Sequence, residues 1–341
     1  MELLDEDMLA AGEFEAAPAL LPPHDAMSQW LPHDAGGIFP GSFERRSFRF
    51  GHCLSKHPLF QLPQLLNLAL RRPDDLDHAY WSNGDVAPQD RWEKGMDATS
   101  SLAETIAGIA HNKSLVMLRH LEDDPAYGPL IGALFARFVE LCGPRLRSDA
   151  ALGRATIIIA SPQRVTPYHI DSDSNFLLQL AGNKRLSVLD HRDRGVIADE
   201  ELESFFAGDF NGARYAERYR ARATHYGIRP GDGLHIPWTA PHWALNGDKV
   251  SIALSLAYDL RSGYRRAKIH QLNRRLRRWG LRPVSPGASR LGDLVKLAAK
   301  NTWNGLRMIR GKRTDPSTER GWRPRASQKP ADFNPRPGRW W

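Results

Sequence analysis

The pattern of hydrophobic and polar positions changes character near residue 154. Before that point, apolar residues recur at helical spacing within 57–73 and again within 124–143, and Gly143 marks the end of the second stretch. Three short β-rich runs lie beside these helical stretches, at 47–54, 78–86 and 114–121. The first part of the chain is therefore predicted to combine helices with a few strands.

From residue 154 to about residue 260, short β-rich runs alternate with turn residues. One helical stretch, at 199–209, interrupts them. Many short strands with regular turn signals are typical of an antiparallel barrel or a double-sheet jelly roll. The predicted fold is mainly β with flanking helices, with the β core at about 154–260.

The two ends of the chain differ from this core. Residues 1–40 contain many Ala, Pro and Asp with little periodicity, which favours a loosely ordered lead-in. Two basic amphipathic helices are predicted at 264–280 and 288–311, and the remaining residues contain much Pro and Arg. The predicted division is a lead-in (1–40), a central domain (41–262) and a helical basic C-terminal extension (263–341).

Charge is distributed unevenly between these parts. Residues 261–341 hold 22 Lys+Arg and 4 Asp+Glu, a net charge of +18, so the rest of the chain carries 8 − 18 = −10. Such an extension can bind nucleic acid, an anionic membrane or an acidic protein surface. It can equally pack against its own acidic body or a second subunit, and the sequence leaves these alternatives open.

Several classes of protein are not indicated. The acidic N-terminus lacks the basic region of a signal peptide. No apolar run approaches the roughly 20 residues of a membrane helix. The two cysteines, Cys53 and Cys142, form neither a disulfide framework nor a metal knuckle. We therefore expect a cytoplasmic protein without a membrane span.

The stretch from Thr166 to Asp190 contains a candidate metal site. In a strand, His169 and Asp171 point to the same side, because side chains alternate. An imidazole and a carboxylate supply two of the three ligands in the 2-His-1-carboxylate triad of non-haem iron enzymes, although H-x-D alone also arises by chance. The third ligand is His242 or His235; we favour His242 because it follows a turn, whereas His235 lies inside an apolar strand.

A lysine follows this pair at a turn. Gly182-Asn183 is a favoured two-residue hairpin turn, which predicts that Asn175 pairs with Asp190 and shares an otherwise apolar face with Lys184. A buried ammonium needs an anionic partner, and a dicarboxylate cosubstrate is such a partner. The alternative is a lysine at the end of the hairpin that reaches water.

These residues together resemble a known family. The order Thr166, His169, Asp171, Asn175, Lys184, then "GDGLHIP" and His242, is similar to the pattern of JmjC-like or cupin-like Fe(II)/2-oxoglutarate oxygenases. Among them it resembles the asparaginyl hydroxylase that inhibits hypoxia-inducible factor, and also bacterial cupin-like proteins. The resemblance covers roughly residues 45 to 260. The combined motif is specific, whereas each part alone is not.

The resemblance implies a double-stranded β-helix with iron at its mouth. It implies an Fe(II)-dependent hydroxylase that couples decarboxylation of 2-oxoglutarate to oxidation of a protein or peptide side chain, or of a small molecule. The resemblance does not extend to the basic C-terminal helices; a separate possibility is that they pair two subunits, as C-terminal helices do in the asparaginyl hydroxylase. The implied metal ligands are His169, Asp171 and His242, and the implied cosubstrate residues are Lys184, Thr166 and Asn175.

A second hypothesis treats the chain as a non-enzymatic cupin-like binding module. Trp279, Trp303 and Trp322 are interleaved with arginines in the basic extension, a pattern typical of nucleic-acid contact. Trp238 and Trp243 flank the favoured third ligand, and packing within the barrel is the preferred interpretation over a substrate-cleft wall.

Overall fold

We describe a computed structural model of the chain. It covers residues 28–32, 36–71, 77–95 and 100–309, with the backbone alone for 301–309. Most of the predicted lead-in (1–40) and the Pro- and Arg-containing end of the chain lie outside the described residues. Within the described part, every helix is too short or too polar to cross a membrane.

The helices are α1 Ile38–Ser42, α2 Leu62–Leu70, α3 Leu102–Ala107, α4 Gly128–Cys142, α5 Pro144–Asp149, α6 Asp199–Phe206, α7 Arg261–Arg278 and α8 Arg290–Ile309. Capping residues explain where two of these helices begin or end. The Ser101 hydroxyl accepts the Glu104 amide while the Glu104 carboxylate accepts the Ser101 amide, a capping box that starts α3. Gly143 ends α4 with a φ of +69°, which a residue without Cβ adopts at little cost. The helices predicted from periodicity at 57–73, 124–143 and 199–209 are confirmed.

The strands are β1 Phe48–Gly51, β2 Ala79–Ser82, β3 Leu115–Arg119, β4 Ala150–Ala160, β5 Val165–His169, β6 Ser174–Ala181, β7 Lys184–Val188, β8 Thr224–Ile228, β9 Asp232–Ile236, β10 His242–Asn246 and β11 Ser251–Leu260. The larger sheet has the order β1-β9-β6-β11-β4-β3-β2, and the smaller sheet has the order β5-β10-β7-β8. Every neighbouring pair is antiparallel.

From β4 to β11 the chain passes from one sheet to the other at almost every connection. The exception is β7 and β8, which pair within the smaller sheet and are separated by α6. Four strands of each sheet thus form a double-stranded β-helix, the jelly-roll fold of cupin-like and JmjC-like proteins. The predicted fold class is confirmed.

The predicted hairpin is wrong. β6 pairs with β11 and β9, whereas β7 pairs with β10 and β8, so the Gly182-Asn183 turn is a corner between the sheets. Asn175 lies opposite Ala257 and Ile236 rather than Asp190. Gly182 has a φ of +63°, and a Cβ on it would lie 2.3 Å from the Val250 carbonyl oxygen. A turn does occur at Gly182-Asn183, but long-range pairing decides which strands become neighbours.

Two hydrophobic clusters lie on the two sides of the larger sheet. The outer cluster contains Phe176 and joins the sheet to the N-terminal helices. The inner cluster lies between the sheets and contains Leu177, Leu186, Val188, Ile228, Leu234, Ile236, Ala240, Ala244 and Ala253. The inner cluster is the interior of the β-helix, and the candidate site opens from it.

The first C-terminal helix packs on the acidic helix α6. Arg277 contacts Glu200 at 2.8 Å and Glu203 at 2.9 Å, and the Glu203 side chain is buried. Phe206 of α6 stacks on both Trp238 and His270 of α7. Basic residues of α7 therefore pack against acidic residues of the central domain, which is one of the alternatives that the sequence left open. The boundaries at 40 and 262 stay predictions.

Candidate metal centre

The two predicted histidine ligands lie side by side on neighbouring strands. β5 and β10 pair with His169 directly opposite His242, and the ring centroids are 4.1 Å apart. Between this pair and the pair Thr166–Ala244, β5 has one residue more than β10, so a local irregularity of β5 occurs at the site. Both side chains are buried. The pairing of strands that are distant in sequence thus brings the two imidazoles together.

Backbone carbonyls fix the orientation of both rings. Nδ1 of His169 lies 2.8 Å from the Pro167 oxygen, and Nδ1 of His242 lies 2.9 Å from the Ala240 oxygen. A carbonyl only accepts, so each Nδ1 carries the proton and donates it. Each Nε2 is then left with a free lone pair, the arrangement that second-sphere contacts impose on metal-binding histidines.

Asp171 faces both of these nitrogen atoms. Its Oδ1 lies 3.8 Å from Nε2 of His169, and its Oδ2 lies 3.6 Å from Nε2 of His242. One ligand atom from each of the three residues lies within 4.8 Å of the others. The three groups are therefore close enough to share one metal ion.

Burial sets the protonation of the triad. It lowers the pKa of both His169 and His242 to about 4, so both imidazoles are neutral near pH 7. Burial raises the pKa of Asp171, while the nearby His242 and Arg154 lower it. Neutral imidazoles are the form that binds a metal, and a bound cation would offset the cost of burying the carboxylate.

Lys184 projects into the interior of the β-helix. On β7 it lies two residues before Leu186 and four before Val188, so all three face the inner cluster. Its side chain is 7% exposed, and among the described residues no carboxylate pairs with its ammonium. Burial lowers its pKa to about 8. The alternative of a solvated lysine at a hairpin end does not describe this position.

The other two predicted cosubstrate residues line the same interior. Thr166 is opposite Ala244, which is in turn opposite Leu186, so Thr166 lies in the row between the histidines and Lys184. The Asn175 amide donates to the Ser255 hydroxyl at 2.7 Å. Its buried Oδ1 has no hydrogen-bond partner in the described residues.

A charged network borders Asp171. The Arg154 guanidinium donates to Asp173 at 3.1 Å and to Asp259 at 2.7 Å, and the Tyr264 hydroxyl donates to Asp259 at 2.6 Å. No sequence motif indicates this network, because its members come from four segments. It places the Arg154 guanidinium near Asp171, where it lowers the pKa of that carboxyl group.

The sequence analysis also missed Trp92. Its indole contacts the His169 ring edge to face, with centroids 4.9 Å apart at 82°. The backbone of Trp92 is held at both ends: its carbonyl accepts from the Tyr80 hydroxyl at 2.7 Å, and its amide donates to Asn211 at 3.1 Å. The preceding residues show no periodic pattern, so only tertiary structure places this side chain at the site.

The other candidates lie elsewhere. His235 is fully buried on the outer face of the larger sheet, against Phe43, Phe48 and Phe176, and it does not reach the triad. Trp238 and Trp243 are buried packing residues. A second group of possible ligands, His120, Glu122 and Asp123, is tied internally: Nδ1 of His120 lies 2.9 Å from Glu122, which also accepts the Ala155 amide.

Comparison with known proteins gives structural neighbours only. No protein-family model matches the sequence, and no curated protein matches it. A structure of Escherichia coli YcfD is 13% identical with a TM-score of 0.45, covering 84% of this chain and 70% of that chain.

The same protein, described as a ribosomal oxygenase, in complex with cobalt and 2-oxoglutarate is 13% identical with a TM-score of 0.40, covering 81% and 66%. Oxalate decarboxylase from Bacillus subtilis is 14% identical with a TM-score of 0.22, covering 31% and 21%. Likenesses of this size carry no argument about activity.

Proposed function

We propose that the protein is an Fe(II)- and 2-oxoglutarate-dependent dioxygenase that hydroxylates a protein or peptide side chain. One observation carries the proposal: two buried histidines and the partly exposed Asp171 form a cluster at a β-helix interior that contains a buried lysine, and no carboxylate of the described residues pairs with that lysine. The cluster suits a divalent metal, and the lysine suits the far carboxylate of a small dicarboxylate.

Different residues would bind the metal and the cosubstrate. His169, Asp171 and His242 would hold the metal through Nε2 and carboxylate oxygen atoms. Lys184 lies four residues along β7 from Val188, the partner of His242, roughly 13 Å of strand. Both positions face the β-helix interior, so a dicarboxylate held at the metal would direct its distal carboxylate toward the ammonium.

Iron with 2-oxoglutarate and oxygen supplies the oxidation of a substrate C–H bond when bound. The protein itself contributes geometry and exclusion of water. The Pro167 and Ala240 carbonyls hold the imidazoles in one tautomer, and the apolar walls from Leu177, Leu186 and Val188 keep the interior dry.

Anaerobic titration with iron and 2-oxoglutarate tests the proposal. We expect the weak visible charge-transfer band of iron chelated by 2-oxoglutarate, and succinate formation on exposure to oxygen. Asp171→Ala should abolish the band, because one of three protein ligands is lost. The absence of both the charge-transfer band and succinate in the wild-type protein would contradict the proposal.

A matched pair of lysine variants tests the cosubstrate anchor. Lys184→Ala should retain metal binding and weaken 2-oxoglutarate by about 10- to 100-fold, the size of one charge-assisted contact. Lys249→Ala is the control, since Lys249 is exposed on a turn. Equal 2-oxoglutarate affinity in both variants would show that Lys184 is not the anchor.

The non-enzymatic alternative predicts a different outcome. A cupin-like module that binds nucleic acid through 263–341 would bind DNA or RNA with strong salt dependence, and it would lose that binding when the extension is removed. Unchanged nucleic-acid binding after removal would exclude the extension as its source. A cytoplasmic location stays a prediction that cell fractionation tests. Pairing of subunits through the C-terminal helices is an alternative that sedimentation tests.

A further inference from the structure

The C-terminal helices expose a concentrated apolar surface. Of the nine exposed large hydrophobic residues in the described part of the chain, six fall between 279 and 295. We call these six the C-terminal patch: Trp279, Leu281, Val284, Leu291, Leu294 and Val295, with exposed fractions of 55% to 74%. Exposed apolar residues scattered singly along a chain are ordinary, whereas six within residues 279–295 are a concentration of the kind found at contact surfaces.

Polar contacts join both C-terminal helices to the segment between them. The Lys296 ammonium and the Asn273 amide both donate to the Val284 carbonyl, at 2.6 Å and 3.2 Å. Asp293 accepts the Gly287 amide at 2.7 Å. Leu291, Leu294 and Val295 have the spacing i, i+3, i+4, so they form one stripe that these contacts leave uncovered.

The helices that carry the patch are also strongly cationic. Residues 261–309 hold 13 Lys+Arg and one acidic residue, Asp293. Arg278, Arg282 and Arg290 are exposed beside the patch, and none of them has an ion pair within the described ranges. The missing partner therefore needs both apolar side chains and negative charge.

We propose that the N-terminal segment 1–27 of the same chain covers the C-terminal patch. This segment holds seven acidic residues and no Lys or Arg, and its sequence "MELLDEDMLAAGEFEAAPALLPPHDAM" interleaves the acids with Leu, Met and Phe. Its charge and its apolar content both complement the patch. The segment joins the described part of the chain at Ser28, and its 27 residues can extend up to ~90 Å.

Two other occupants fit less well. A second copy of the patch would place the same unpaired arginines against each other, because a two-fold interface pairs identical surfaces. Nucleic acid would satisfy the arginines but would leave the Leu and Val stripe in water. A tethered segment also has the advantage of a high effective concentration, in the millimolar range for a short linker.

Hydrogen exchange of the intact chain tests the proposal directly. Deletion of residues 2–27 should raise deuterium uptake several-fold in 279–295 and leave β4–β11 unchanged. A chain of full length with Glu2→Gln, Asp5→Asn, Glu6→Gln and Asp7→Asn should show part of this rise at low salt, and less difference from wild type at high salt. Equal uptake in wild type and deletion would overturn the proposal.

A matched pair of leucine variants approaches it from the other side. Leu294 and Leu70 are both 64% exposed. Leu294→Asp should release the segment and raise uptake in 1–27, whereas Leu70→Asp should not. Unchanged uptake in Leu294→Asp would contradict the proposed contact.

Competing occupants give their own results. Phosphatidylserine vesicles or duplex DNA should bind the deletion variant more tightly than the intact chain, because the segment shields the patch. Equal binding to both chains would mean that the patch is free and the proposal is wrong. Sedimentation of an intact dimer that Leu294→Asp dissociates would assign the patch to a second copy and overturn the proposal as well.

Discussion

The two faces of strand β6 show how one sequence serves stability and chemistry at alternate positions. On the outer face, Phe176 is fully buried and stacks on Phe138, with ring centroids 4.1 Å apart. On the inner face, Asn175 has a buried oxygen without a partner, and Lys184 across the corner has no counter-charge in the described residues. The outer face is packed by other side chains of the protein, whereas the inner face keeps polar groups without partners among the described residues.

This comparison predicts that outer substitutions cost stability and inner ones cost binding. Phe176→Ala should lower the free energy of unfolding by ~3–5 kcal/mol, because it opens a cavity within an aromatic cluster. Denaturant titration measures this change. Metal affinity per folded molecule should stay at the wild-type value, and a parallel loss of both would show that the faces are not separable.

His235 extends the comparison to pH. Burial lowers its pKa to about 3, from 6.5. The unfolded state then binds more protons between these values, so stability should fall as the pH drops from 6.5 to 4, by ~3 kcal/mol from this residue.

His235→Phe should remove that part of the pH dependence. The neighbouring Glu44, whose pKa burial raises to about 7, acts in the opposite direction and remains in the variant. Unfolding of both proteins at pH 4 and pH 7 separates the two groups. An identical slope in variant and wild type would refute the assignment.

Replacing Lys184 on the inner face should have the opposite effect and raise the stability of the free protein. Its pKa is lowered to about 8 by burial, so the charged form destabilises the free protein at pH 7. Lys184→Met should therefore raise the free energy of unfolding by ~1–3 kcal/mol at pH 7, and the gain should shrink as the pH rises from 8 to 10.5. Thermal unfolding across this range measures it. A loss of stability at pH 7 would reveal an anionic partner for the ammonium within the protein.

Trp92 should have the smallest effect. Its edge-to-face contact with His169 is worth ~0.5–1.5 kcal/mol. Trp92→Ala should weaken metal binding by ~2- to 10-fold, and Trp92→Phe should recover most of the loss. Competition with a metal-chelating dye reads both affinities, and wild-type affinity in the Ala variant would assign Trp92 to packing alone.

Local patterns predicted the elements well but not their partners. Each β-rich run from 154 to 260 lies in a strand, and the His-x-Asp spacing places both side chains toward one point. The turn at Gly182-Asn183 misled the pairing, because a two-residue loop is a local signal and the alternation between sheets is a global one. The position of Trp92 at the site could not be predicted from the sequence, because Trp92 is only half-buried and lies in an irregular segment without hydrophobic periodicity.

The alternation between sheets also determines at which stage of folding the candidate site is assembled. Ala160 pairs with Ser251, which is 251 − 160 = 91 residues later, so the interior closes only by long-range pairing. Such topologies fold slowly, because chain closure precedes most of the stabilising contacts. During synthesis His169 and Asp171 leave the ribosome long before β10 and β11. The three side chains of the candidate site can therefore come together only after β10, which carries His242, has been synthesised.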